Sequence, residues 1–152
     1  MYNPALIAHS WLRWIVLVAA FGATLAAFTD RPVVGEDSRT DRWGLALMMT
    51  VDLQMLLGLL LYLVVSPAME AIRQNFAAAM RDRVARFWGV EHISLMFGVV
   101  ILAHLGRVLA RKAVTPETKR RRLLVCFGLA TLLMLAGTPW PGMAVGRPLF
   151  RF

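Results

Sequence analysis

The 152 residues are enough for one domain, and 59% of them are hydrophobic while only 17% are charged, with a mean hydropathy of +0.61. A soluble domain carries roughly a quarter charged residues, so this composition excludes an ordinary soluble enzyme and points to lipid as the solvent. The net charge of +8 would suit a nucleic-acid binder, but Lys and Arg fall in short runs between long apolar stretches. That is the pattern of a membrane protein, so the bilayer, not nucleic acid, is the expected partner.

A bilayer core about 30 Å thick needs around 20 apolar residues at 1.5 Å each. The first stretch that qualifies is 4–28, interrupted by Arg13. A cleaved signal peptide has a basic start and a short apolar core; here the first charge lies inside the stretch, so a retained span is expected. The second span is 43–65, interrupted by Asp52.

Residues 66–86 follow a different rule. Ile72, Phe76, Met80, Val84 and Phe87 recur every three or four positions, with Arg73, Gln74, Arg81, Asp82 and Arg86 on other faces. This predicts an amphipathic helix in the membrane interface; a solvated helical connector is the alternative. The third span is 87–110, with Glu91 near its start and Arg107 near its end. The fourth is 123–138, closed by Pro139, Trp140 and Pro141. Backbone groups in lipid must be satisfied within each segment, so all four are expected as helices. The fold expected is an all-α, up-down-up-down membrane four-helix bundle, a single transmembrane domain over 1–152.

Counting Arg107 at the end of span three, ten Lys and Arg fall on the side of the loops joining spans one to two and three to four, the first of which also holds four acids; six fall at the other side. The positive-inside rule then places both termini outside the cytoplasm. Cys126 stands alone in an apolar run, which leaves no disulfide within the chain and suits a small buried hydrophobe.

Ionisable groups inside spans are costly and are candidate functional residues. His9 and His92 each lie a few residues into spans running in the same direction, so the two imidazoles reach a similar depth. Two imidazoles facing one another across a bundle supply both axial ligands of a haem iron, which makes haem b the candidate cofactor. Arg13 is one turn from His9, placed to meet a propionate, Glu91 or a lipid phosphate; its alternative is an interfacial anchor with Trp11 and Trp14. Val16, Ala20 and Ala23 below His9 are small enough to leave room for a flat ring, as is Gly58.

His104 lies 12 residues after His92, about 18 Å along the helix and on another face. Asp52 reaches a broadly similar depth, so an Asp52–His104 pair is expected, joined by Arg107 or Gln54, either relaying protons or mutually satisfying polar groups. A second haem there would need a ligand such as Met48 or Met49. Metal-protease spacing, phosphate-binding glycine loops and nucleophile elbows are all missing from the sequence.

The runs His9-Ser10-Trp11-Leu12-Arg13-Trp14 and Asp52-Leu53-Gln54-Met55-Leu56-Leu57-Gly58 resemble a family of small bacterial membrane proteins. So do Arg86-Phe87-Trp88 with Glu91-His92, Gly106-Arg107, and Pro139-Trp140-Pro141-Gly142. These proteins are labelled cytochrome b or cytochrome b-like, and the resemblance covers nearly the whole chain. It implies a bacterial inner-membrane protein holding haem between helices through paired histidines and passing electrons to or from quinone or another carrier. Some relatives have His where this chain has Asp52, which leaves the second haem without a ligand there.

The leading expectation is therefore a membrane electron carrier or oxidoreductase with His9 and His92 as iron ligands, tuned by Arg13 and Glu91. The alternative is a cofactor-free accessory or assembly subunit of a larger membrane complex, or a homo-oligomer, joined through its small residues. A weaker third is a proton or ion path on Asp52, His104 and Arg107.

Overall fold

The computed structural model describes residues 1–31, 34 and 38–151. Part of the loop between the first two expected spans, with two of its four acids, lies outside the described residues.

Helix α1 covers Tyr2–Thr29. α2 covers Arg39–Leu60 and runs on through one π-helical turn, Leu61–Val65. Three short helices follow: α3, Pro67–Gln74; α4, Phe76–Ala79; and α5, Arg83–Arg86. A second π turn, Phe87–Glu91, leads into α6, His92–Arg111, and α7 covers Pro116–Gly137.

Three of these helical stretches are long and apolar enough to cross a membrane: Tyr2–Thr29, Arg39–Val65 and Arg83–Arg111. α7 is not among them. Its first two turns hold Lys119, Arg120, Arg121 and Arg122, so its apolar part begins only at Leu123. At 1.5 Å per residue, 123–137 reaches about 22 Å, short of a full hydrocarbon core.

The long helices nevertheless pack as a group of four, α1 against α2 and α7, and α6 against α2 and α7. Small side chains set the approach. Ala19, Ala20, Ala23, Ala26 and Ala27 are buried along α1, letting the backbones come close without the polar cost of a cavity. Phe127 is fully buried between Gly44 and Gly106, where an added Cβ would strike its ring or Cys126. The sequence reading left Ala20 and Ala23 as space for a ring. They are instead packed shut against the core, with the Thr131 hydroxyl of α7, 2.8 Å from the Phe127 carbonyl, also within 3.2 Å of the Ala20 carbonyl.

The segment 66–86 forms three pieces in place of the single expected helix. Asn75 leaves the helical region at φ −139°, ψ 66°, and its side chain accepts from Ala78 N–H at 3.3 Å. Asp82 does the same for α5, accepting from Ala85 N–H at 2.7 Å. Asn and Asp bond to nearby backbone N–H groups as readily as a helix does, so they start new turns where a continuous helix would have run. The apolar stripe is divided too: Ile72 and Phe87 are buried, but Phe76 is half exposed.

Candidate functional site

The two π turns sit at the same end of the bundle and face each other: the Tyr62 hydroxyl in one donates to the Gly89 carbonyl in the other at 2.7 Å. Single π turns rotate the residues after them and occur often at functional sites. Here Leu61, Tyr62 and Trp88 line a cavity of about 440 Å³ together with His9, Arg13, Gln54, Gly58, His92 and Met96. Met69 and Ile72 of α3 line it from the interface segment, and Arg147 and Arg151 of the C-terminal tail from the other side. That volume lies within the range of small-molecule and cofactor pockets, about 300–1,000 Å³.

His9 and His92 bring their ring centres to 6.5 Å. On His92, Nδ1–H donates to the Gly137 carbonyl at 2.8 Å, which fixes the ring and leaves Nε2 without a hydrogen-bond partner among the described residues. On His9, Nε2 lies 3.3 Å from the Gln54 amide nitrogen, and buried Nδ1 has no partner. Gln54 also donates to the His9 carbonyl at 3.1 Å, holding this turn of α1 against α2. The sequence reading had assigned Gln54 to the Asp52–His104 pair; a two-residue step along α2 turns it toward His9 instead. Gly58 gives room to the His9 ring itself, since an added Cβ would lie 3.3 Å from Cε1.

Arg13 lines the cavity and donates from Nη2 to the Leu149 carbonyl at 2.8 Å. Glu91 does not line it. Its carboxylate takes a 2.7 Å ion pair from Arg86, five residues earlier across the π turn.

The second polar group is smaller than expected. His104 Nε2 lies 3.4 Å from Asp52, both side chains are more than 40% exposed on the flank of α2 and α6, and His104 Nδ1 bonds the Val100 carbonyl. Arg107 turns away from this pair and donates to the Asp41 carbonyl at 2.8 Å. Met49 is 61% exposed on the outside of α2. No group of three or more His, Cys, Asp or Glu placed to hold a bare metal ion occurs among the described residues.

Sequence reasoning missed the C-terminal tail. Trp11 Nε1 donates to the Arg151 carbonyl and Trp14 Nε1 to the Leu149 carbonyl, while the Phe150 ring lies 5.4 Å from Trp11 and 5.5 Å from Trp14. The only signal was chemical: two indoles and an arginine spaced along one helix, with Arg147-Pro148-Leu149-Phe150-Arg151 near the end of the sequence. No protein-family model, curated protein or solved structure matches this chain.

Proposed function

We propose that the chain is a b-type haem protein of a membrane four-helix bundle, with His9 and His92 as the two axial ligands. One observation carries the reading: two imidazoles meet with ring centres 6.5 Å apart on the wall of a 440 Å³ apolar cavity, the His92 ring fixed by the Gly137 carbonyl and the His9 ring held by Gln54. Two imidazoles that share a metal ion at about 2 Å per bond have ring centres on the order of 6 Å apart. Such a haem supplies one-electron chemistry, exchanged with quinone or another carrier.

The chain's own groups have separate tasks. The Gly137 carbonyl fixes the tautomer of His92, and Gln54 holds His9 from α2. Met96, Met55 and Leu61 keep water from the ring edges. In this reading α7 is the fourth span, its short apolar part completed by Arg120–Arg122 reaching to the headgroups. Its setting is a bacterial inner membrane with both termini outside the cytoplasm.

Absorption spectra of the purified protein, oxidised and dithionite-reduced, test the proposal. A Soret band and a pyridine haemochrome are expected, both lost in His9→Ala and His92→Ala and both kept in His104→Ala. A colourless protein from haem-replete cells would end it.

A second reading, a cofactor-free accessory subunit, is favoured by the Asp52–His104 pair. Half-exposed polar groups near the middle of a span are costly against lipid and suit burial by a partner's helix. A stoichiometric partner co-purifying with wild type and lost with Asp52→Leu/His104→Leu supports it, and a monodisperse haem-loaded single species opposes it.

A further inference from the structure

Arg13, Arg147 and Arg151 all line the same cavity. Arg13 and Arg151 stand near enough for their charges to repel, and Arg13 Nε is buried with no partner. The Arg147 guanidinium lies 5.1 Å from the centre of the Trp88 ring, itself a cavity wall. Counter-charge is scarce among the described lining residues. The one acid among the described lining residues, Asp82, already caps α5, and Glu91 is taken by Arg86. Three cations therefore converge on a largely apolar space that holds one carboxylate among its described lining residues, and their donors are available to an acidic ligand.

Their placement is also built, not accidental. Arg13 Nη2, Trp11 Nε1 and Trp14 Nε1 each bond a tail carbonyl, and the Arg147 N–H bonds the Pro139 carbonyl at 3.1 Å. These contacts fold the tail across the mouth and hold positions 147 and 151 over it. The Phe150 ring packs against Trp11 and Trp14 beside these contacts.

We propose that the three guanidiniums form a carboxylate-binding mouth, two of them delivered by the C-terminal tail. The cavity's ligand is then a flat apolar body with acidic groups at one edge, seated with that edge toward the tail. This rests on the reading of the cavity as a macrocycle site but not on iron ligation. Bidentate and charge-assisted contacts from Arg to carboxylate give both affinity and orientation, so the ligand enters one way round.

Metal-free protoporphyrin IX and its dimethyl ester separate the charge from the metal. Full-length protein prepared from haem-depleted cells, in nanodiscs of zwitterionic lipid, is titrated with each and followed by porphyrin fluorescence. The diacid is expected to bind about tenfold tighter than the ester. Arg147→Gln/Arg151→Gln removes that preference while the thermal melt of the unliganded protein is unchanged. Equal binding of acid and ester, binding of neither, or a preference that survives in the double variant overturns the proposal. So does a preference that vanishes when anionic phospholipid is added, since the arginines would then serve a lipid phosphate. Haemin added to the same preparation keeps the two readings apart: acid preference without a bis-imidazole spectrum ends the haem reading alone. A bis-imidazole spectrum with equal affinities ends the carboxylate mouth alone.

Discussion

At the end of the bundle away from the histidines, Asp41 takes a 2.7 Å ion pair from Lys119, caps α2 together with Ser38, and lends its carbonyl to Arg107. Arg120 closes the last carbonyls of α1, at Ala27 and Phe28. At the histidine end the pattern reverses: His9 Nδ1, Arg13 Nε, Gln54 Oε1 and Trp88 Nε1 are buried without partners around a cavity. Buried polar atoms in native proteins are normally satisfied, so this cluster sets the histidine end apart from the other. One end ties the helices together, and in the proposed reading the other holds the ligand.

Substitutions should separate the two. The largest stability loss is expected for Phe127→Ala, which empties the fully buried site between Gly44 and Gly106. Loss of about 3–5 kcal/mol is expected, seen as a lower denaturation midpoint, and under the proposed haem reading the spectrum of the folded fraction is unchanged. Lys119→Met comes next. The Lys119 side chain is only 8% exposed, so removing it leaves the Asp41 carboxylate with its Ser38 hydrogen bonds but without this cation, at a cost of about 1–3 kcal/mol; adding Asp41→Asn should recover part of it. If either variant bleached the haem while still folded, the division of labour would be wrong.

Gln54→Leu probes the other end. It deletes the bond to the His9 carbonyl but also an unpaired buried oxygen, so stability of the unliganded protein should move by about 1 kcal/mol or less. Haem retention through a desalting column should fall clearly, because His9 loses the group that holds it from α2. A melt that drops while retention holds would make Gln54 a packing residue only.

How much of this was legible beforehand follows the same division. Three of the four span positions came from hydropathy, which depends only on sequence; the fourth, 123–138, lies on a helix not apolar enough over its length to qualify. The level shared by His9 and His92 came from counting residues along parallel helices, since rise per residue is constant. The Asp52–His104 approach was reached in the same way. Rotation was not legible. Glu91, the last residue of the π turn at Phe87–Glu91, pairs with Arg86, and a helix-axis rotation sent Gln54 to His9 and Arg107 to Asp41. The tail was illegible for another reason. Its contacts join positions about 140 residues apart through backbone carbonyls, which carry no side-chain signature.

The smallest effect expected is one of pH at the helix-holding end. Asp30 ends α1 and accepts the N–H and hydroxyl of Thr40 at 3.0 and 2.9 Å, latching α1 to the first turn of α2. Burial pushes its carboxyl up, but the Thr40 bonds, the Arg31 N–H and the Arg39 charge together outweigh that and hold it below its ordinary 3.8. A carboxylate depressed in the folded state stabilises the fold above its unfolded value and loses that contribution as pH falls through the folded one. Asp30→Asn should therefore melt slightly lower than wild type at pH 6, and the gap should close below pH 3.8. The histidine end has no part in this latch, so haem-loaded and unliganded proteins should show the same closing gap. A gap that stays constant with pH would mean that Asp30 holds α2 by shape alone.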